Sequence, residues 1–400
     1  MSKTDHQNLN KFAAHRGDDK YIETFGEEGW RTIYEHDLGK LTNSNPFRTL
    51  AFKRHLVVPE SKKDSFRTKL LHTIEVSNIA DQIAKGLFLN RDLVKAIAYG
   101  HDIGHPPYAA IGEKKLRVLS QGKLPRHSEI GFRLAKQNSL LKKNTDSERF
   151  DKLRGVQCYD SSTSGICTIS RDTLDGILKH TPSDNRFPYG NLPGTLEGQI
   201  VRMADNIAYI TQEVEDAKEL GLFIENEKDG FVAMLSQNGY TEDFTNMRTN
   251  LEDDIISNSM NRRINVIIER ILRYNGDLLK KTENKPEKNT YRSQVDDRHL
   301  PVLKYDLGLE LALKFIWEHF IQTKIWGHQV VKEGKAHAEK NIEKIFNKMS
   351  RATGKYRNNR FCEASDHNVM VHFKKNIDTN LKICYYIDSL TTRQIEDELK

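Results

Sequence analysis

The chain has 400 residues, with 62 Lys and Arg against 56 Asp and Glu, a formal net charge of +6, and 37% hydrophobic residues. That balance excludes a disordered chain and a polybasic tail, and it fits a folded protein that meets an anionic ligand. The four cysteines, Cys158, Cys167, Cys362 and Cys384, form no CxxC pair, so neither a zinc knuckle nor a disulfide framework is indicated.

Residues 1–45 are polar and punctuated by Gly26, Gly29 and Gly39, as expected of a segment that wraps a core formed later. No apolar stretch marks Met1–Asn8, and no run of about 18 apolar residues occurs, so a cytoplasmic protein without a membrane span is expected. Leu71, Ile74, Ile79, Ile83 and Leu87 recur at helical spacing and predict an amphipathic helix over 68–89 with these residues inward. A second helix is predicted through Leu93, Val94, Ala96, Ile97 and Ala98 to His101 and Asp102, where Gly104 and Pro106-Pro107 end it. The Ser-, Thr-, Asp- and Lys-rich stretch 138–171 reads as a surface insertion with Ser161–Ser164 at its tip. Thr195 is a candidate N-cap for a helix over 197–220, in which Ile200, Met203, Ala204, Ile207, Val214 and Ala217 turn inward. On that helix Asp205, Tyr209 and Glu213 lie four residues apart and share a face. Further helices are predicted over 264–272 and 309–321, separated by a polar stretch from Tyr274 to Arg298. With no strand or repeat pattern, the reading is an all-α fold.

Chemistry gathers in His72, the adjacent His101 and Asp102, and Asp205. Imidazole and carboxylate together suit a divalent metal, and ligands from three helices can converge in a bundle core while leaving room for water and substrate. Taken singly, a histidine on an amphipathic helix or an aspartate on a helix face is more often a core or solvated residue than a ligand. Their order and surroundings change that. The run Thr68, Lys69, Leu70, Leu71, His72, followed by His101, Asp102, Ile103, Gly104, His105, Pro106, Pro107, resembles the two opening motifs of the HD superfamily. Gly112 and Glu113, the segment from Thr173 to Lys179, Glu197–Val201, Ala204–Tyr209 and Val214–Ala217 are similar to motifs of its dGTPase-like branch, and Arg48–Arg54 resembles the block before the first histidine. The resemblance spans residues 47 to 217.

What the resemblance implies is an HD-domain catalytic core over 46–225, followed by a C-terminal helical region, 226–400, that completes the pocket or mediates assembly. It implies that His72, His101, Asp102 and Asp205 bind a divalent ion, Mn, Mg, Fe or Co. The implied reaction is hydrolysis of deoxynucleoside triphosphates to deoxynucleoside and triphosphate. Arg67 and Lys69 then meet phosphates, Tyr209 and Glu213 meet the sugar, and Glu113 with His127 supports proton traffic, His105 being the other imidazole nearby. One position departs from the pattern: Ala110 stands where the branch generally carries a histidine, and alanine can neither donate nor accept a proton. A nucleotide-sensing regulator without turnover and another HD-domain nucleotide phosphohydrolase are the rival readings. A homo-oligomer, in the family often a hexamer, is expected, and an allosteric nucleotide site is common in the family. The lysine patches at Lys280, Lys281, Lys285 and Lys288 and at 332–340 lack interleaved aromatics, so nucleic acid is not an expected partner. Cys362, Asp366, His367 and His372 match no ligand spacing and read as chance.

Overall fold

The computed structural model describes residues 9–14, 31–54, 67–138, 140–141, 159–160, 165–167, 169–181, 192–219, 221, 259–284, 290–293, 299–351 and 379–399. Ser161–Ser164, Lys285, Lys288 and the group Cys362, Asp366, His367 and His372 lie outside these residues. In chain order the first elements are α1 (Ile33–Thr42), α2 (Asn45–Thr49), which runs on as a 3-10 turn to Phe52, α3 (Lys69–Gly86), α4 (Arg91–Gly100), α5 (Ala109–Leu119) and α6 (His127–Asn138). Three short strands, β1 (Leu140–Leu141), β2 (Tyr159–Asp160) and β3 (Gly165–Cys167), precede α7 (Arg171–Lys179) and α8 (Leu196–Glu219). Then come α9 (Met260–Asn284), β4 (Thr290–Arg292), β5 (His299–Pro301), α10 (Leu307–Phe315), α11 (Gln329–Arg351), α12 (Thr379–Ser389) and α13 (Thr392–Glu398).

The helices start where side chains can satisfy their free amides. Thr68 accepts from the Leu71 amide before α3, Asn90 accepts from Asp92 and Leu93 before α4, and Thr195 accepts from Gly198 as expected before α8. Ser170 caps α7, and the buried Asp37 of α1 accepts from both the Ser170 amide and the Thr173 hydroxyl, tying α1 to α7. In the first core, α3 packs between α8 and α4, joined by apolar side chains of α9 and α10. In the second, Ile103, Tyr108, Leu116 and Ile130 pack against Ala338, Ile342 and Ile345 of α11 and Ile383 and Ile387 of α12. The motif-bearing residues lie where α3, α6, α7 and α8 meet the turn after α4.

The fold is all-α, as the sequence indicates, with three corrections. First, short antiparallel strands exist: β1 and β2 flank β3, and β4 pairs with β5. Second, α3 does not bury Leu71 and Ile74, which are exposed; its inward stripe is His72, Thr73, Val76, Ile79, Ala80 and Ile83. The start of the helix is rolled to turn a polar imidazole inward, which apolar periodicity alone does not reveal. Third, α9 runs through Tyr274 to Asn284, so the polar stretch begins later than predicted. Among the described residues no helix is long and apolar enough to cross a membrane.

Candidate metal centre and active site

Each central side chain is placed by a local device. His72 sits on the first turn of α3, His101 caps the end of α4, and Asp102 follows it into a turn closed by the His105 amide bonding to the Asp102 carbonyl at 3.0 Å. Gly104 lets that turn touch α6, because a Cβ there would stand 2.1 Å from the His127 carbonyl oxygen and 2.3 Å from the Gly131 nitrogen. Beyond Pro106-Pro107 the chain turns through Tyr108 and Ala109 with φ of 61° and 49°, left-handed values that are uncommon without glycine. Tyr108 is buried, and its hydroxyl accepts a hydrogen bond from Asn341 of α11 at 3.2 Å, which helps hold this costly turn. It launches α5, which carries Ala110 and Glu113.

The imidazoles share one arrangement. His72 Nδ1 is 2.8 Å from Gln212 Oε1, and the Gln212 amide nitrogen donates to Glu75, which fixes the orientation of that amide. His72 thus holds Nδ1 against an acceptor and turns Nε2 inward, 3.1 Å from Asp205 Oδ1 and 3.4 Å from Asp102 Oδ2. His101 donates from Nδ1 to the Ala98 carbonyl at 2.6 Å, and its buried Nε2, which has no hydrogen-bond partner, faces Asp102 Oδ2 at 3.2 Å and Asp205 Oδ1 at 3.7 Å. Burial would lower His101, but the charges of Asp102 and Asp205 raise it, so the two carboxylates favour positive charge, a proton or a metal ion, at these nitrogens. Ligands each about 2.1 Å from one ion, and roughly 90–120° apart, stand roughly 3.0–3.6 Å from one another, so these spacings suit a divalent ion. His72, His101 and Asp102 thus form a buried group able to hold a metal.

Electrostatics concentrate on Asp102. Burial would raise its carboxyl, but the charges of His101, Lys69 and His105 outweigh that and hold it well below the usual range. Lys69, itself buried, reaches Asp102 Oδ2 with its ammonium at 2.9 Å. Asp205 is held low by the hydrogen bond from His72 and the charges of His101 and His72, against the effect of its burial. His127 bonds through Nδ1 to Glu113 Oε2 at 2.7 Å, and that bond and the charge of His127 pull Glu113 down to about 2 although burial acts the other way. His105 stacks on His127 with ring centroids 3.8 Å apart, and burial together with the nearness of His127 and Lys69 lowers it to about 3.

The other expected residues divide. Tyr209 and Glu213 interact with each other on the Asp205 helix; Trp317 lies 5.6 Å from the Tyr209 ring, Trp326 lies 5.2 Å from Trp317, and the Lys335 ammonium sits 4.3 Å over Trp326. Burial and the charge of Asp216 push Glu213 up to about 7. Trp317 lies within a stretch, Ile316–Ile325, wound as π-helix, a rare form that recurs at functional sites, and Trp326 directly follows it. Lys335, grouped with solvated lysines in the sequence, instead sits over Trp326 and interacts with Glu213. Arg67 is engaged with Glu75 at 3.2 Å and with Asp216. Ala110 is exposed on the wall of an open cleft of about 580 Å³ lined also by Glu113, Lys114, Arg117 and Arg126.

Sequence reasoning missed Gln212, the two tryptophans and His180. His180 is buried against the centre, its Nε2 3.2 Å from His127 Nε2. Its position directly after the Thr173–Lys179 segment was the available signal.

Residues 70–210 match the family model of the HD domain. The chain is similar to proteins named deoxyguanosinetriphosphate triphosphohydrolase-like protein. That of Caldanaerobacter subterraneus subsp. tengcongensis is 36% identical over 188 residues, 47% of this chain and 46% of that protein. That of Clostridium perfringens (strain 13 / Type A) is 34% identical over 197 residues, 49% of this chain and 50% of the relative. The matched part thus spans about half the length of these two relatives. Against that of Pelagibacter ubique the match extends over 367 residues, 91% of each chain, at 27% identity.

Proposed function

We propose that the chain is a metal-dependent phosphohydrolase that cleaves deoxynucleoside triphosphates to deoxynucleoside and triphosphate. The observation that carries this is the convergence of His72 and His101 Nε2 on Asp102 and Asp205, with the Glu113–His127 pair alongside, within a chain related to triphosphohydrolase-like proteins. In this reading His72, His101, Asp102 and Asp205 hold the ion. The ion supplies Lewis-acid polarisation of a phosphoryl oxygen and a more acidic water. Lys69 adds positive charge beside Asp102 for the substrate's phosphates. Arg67 meets phosphate by exchanging one of its two carboxylate partners. Tyr209 packs on the deoxyribose, Glu213 contacts its hydroxyl, and Trp317, Trp326 and Lys335 wall the pocket from the C-terminal side. Glu113 fixes His127 with Nδ1 protonated, so Nε2 is the atom that accepts or returns a proton.

Incubation with each deoxynucleoside triphosphate and Mn, followed by ion-exchange separation, tests the reading. Free triphosphate that disappears in His72→Ala and Asp205→Ala is the expected result; monophosphate with pyrophosphate, or activity intact in those variants, contradicts it. Ala110 favours a second reading, a sensor that binds without turnover, because general acid-base groups contribute roughly 10²–10⁴ in rate. Triphosphate released only by Ala110→His would mark the chain as a disabled enzyme, and no product from either protein would favour the sensor.

A further inference from the structure

We propose that Lys53 is a positioning residue for the centre, tying the start of α3 to the His101–His105 turn, and that Asp388 of α12 is the buried counter-charge that keeps it in place. Lys53 directly follows the 3-10 turn after α2 and is 3% exposed. Its carbonyl accepts from the Lys69 amide at 2.8 Å, beside an antiparallel bridge between Arg54 and Thr68. Its ammonium donates to the His105 carbonyl at 2.5 Å. One residue thus grips both backbone segments that carry the centre: Lys69 opens the helix of His72 and reaches Asp102, and His105 closes the turn that follows His101 and Asp102. An ammonium this deeply buried needs an opposite charge nearby. Asp388, 6% exposed, supplies it from the far end of the sequence: burial lowers Lys53 and raises Asp388, and the charge of each acts against that effect on the other. Both line a cavity of about 20 Å³ between α2, α6 and α12, room for one water. Asp388 Oδ1 has no hydrogen-bond partner among the described residues.

The assignment rests on the reading of the centre as that of a metal-dependent phosphohydrolase, and it makes that centre depend on two residues outside the 70–210 match, one on either side of it. Removing one partner leaves a buried unpaired charge, whereas replacing both by apolar side chains of similar volume is often neutral for stability. That difference separates holding the turn from filling the core: an apolar pair can restore stability but has no donor for the His105 carbonyl.

The test compares Lys53→Met, Asp388→Leu, the double variant and Lys53→Arg in the full chain. Tm is read first, then Mn affinity by electron paramagnetic resonance titration well below the lowest Tm, then kcat and KM on deoxynucleoside triphosphates. Each single apolar change is expected to lower Tm. The double variant should regain most of that Tm and still bind Mn about 10–100-fold more weakly than the wild type, the loss typical when a group supporting the ligands is removed, with kcat reduced and KM little changed. Lys53→Arg, which keeps a donor and the charge, should bind Mn more tightly than Lys53→Met. Wild-type Mn affinity and kcat in Lys53→Met or in the double variant would overturn the assignment, because the pair would then serve stability alone, and equal losses in Lys53→Arg and Lys53→Met would also count against it. A double variant no more stable than the single ones overturns the role of Asp388. Weakened Mn binding in the variants of a chain that releases no triphosphate upholds the positioning role and counts against the proposed reaction alone; a wild type that binds no Mn overturns both.

Discussion

His72, His101, His127 and His180 each hold Nδ1 against an acceptor behind the ring, which turns Nε2 toward the centre. The partners behind the ring therefore matter nearly as much as the ring. Gln212→Leu removes the acceptor behind His72, and metal affinity should fall about 10–100-fold, read by titration with Mn; unchanged affinity would show that Gln212 does not orient the ring. Glu113→Ala frees His127 and should lower kcat by roughly 10²–10⁴ with a smaller change in KM, measured on the fastest substrate. Of this centre, His72, His101, Asp102 and Asp205 were legible because they sit inside ordered motifs. Gln212 and His180 were not, since a glutamine on a helix and a histidine at a helix end gain meaning only when folding brings them behind or against another ring.

At the scale of elements, the site depends on close backbone approach and on buried charge. Gly104→Ala drives a Cβ into the His127 carbonyl, so the α4–α5 turn must shift away from α6. Strain of this kind typically costs about 1–3 kcal/mol. Thermal unfolding should show a lower Tm for the variant, together with weaker metal binding; an unchanged Tm would mean the turn yields freely. Glu197, at the start of α8, accepts from the Ala14 and Asn90 amides at 2.9 Å each, and burial pushes its carboxyl from 4.5 up to about 7. The folded state thus keeps this proton to higher pH than the unfolded chain does. Its contribution is fully present below pH 4.5 and is lost as pH rises through about 7, up to roughly 3 kcal/mol across that window. Glu197→Gln should flatten the fall of Tm between pH 5 and 8, and parallel curves for the two proteins would contradict the assignment. Helix positions were legible from periodicity and breakers. The roll of α3 was not, because Leu71 and Ile74 are exposed while the polar His72 and Thr73 are buried for the sake of the centre.

At the scale of the molecule, the described residues form two apolar cores, and residues of the C-terminal part lie against Tyr209 beside the centre. The α3–α4–α8 core supplies the inward carboxylates and imidazoles, α11 anchors Tyr108, and Trp317, Trp326 and Lys335 face Tyr209 from the C-terminal part of the chain. That wall lies outside the segment of residues 70–210 that matches the HD domain, which is why motif reading alone did not supply it. The most direct measurement is hydrolysis of a deoxynucleoside triphosphate by the Mn-loaded full chain in water enriched in heavy oxygen, with products weighed by mass spectrometry. The account predicts one heavy oxygen in free triphosphate and none in the deoxynucleoside, as attack at the α-phosphorus with loss of the 5′ oxygen requires. Heavy oxygen in a monophosphate or in inorganic phosphate would contradict it.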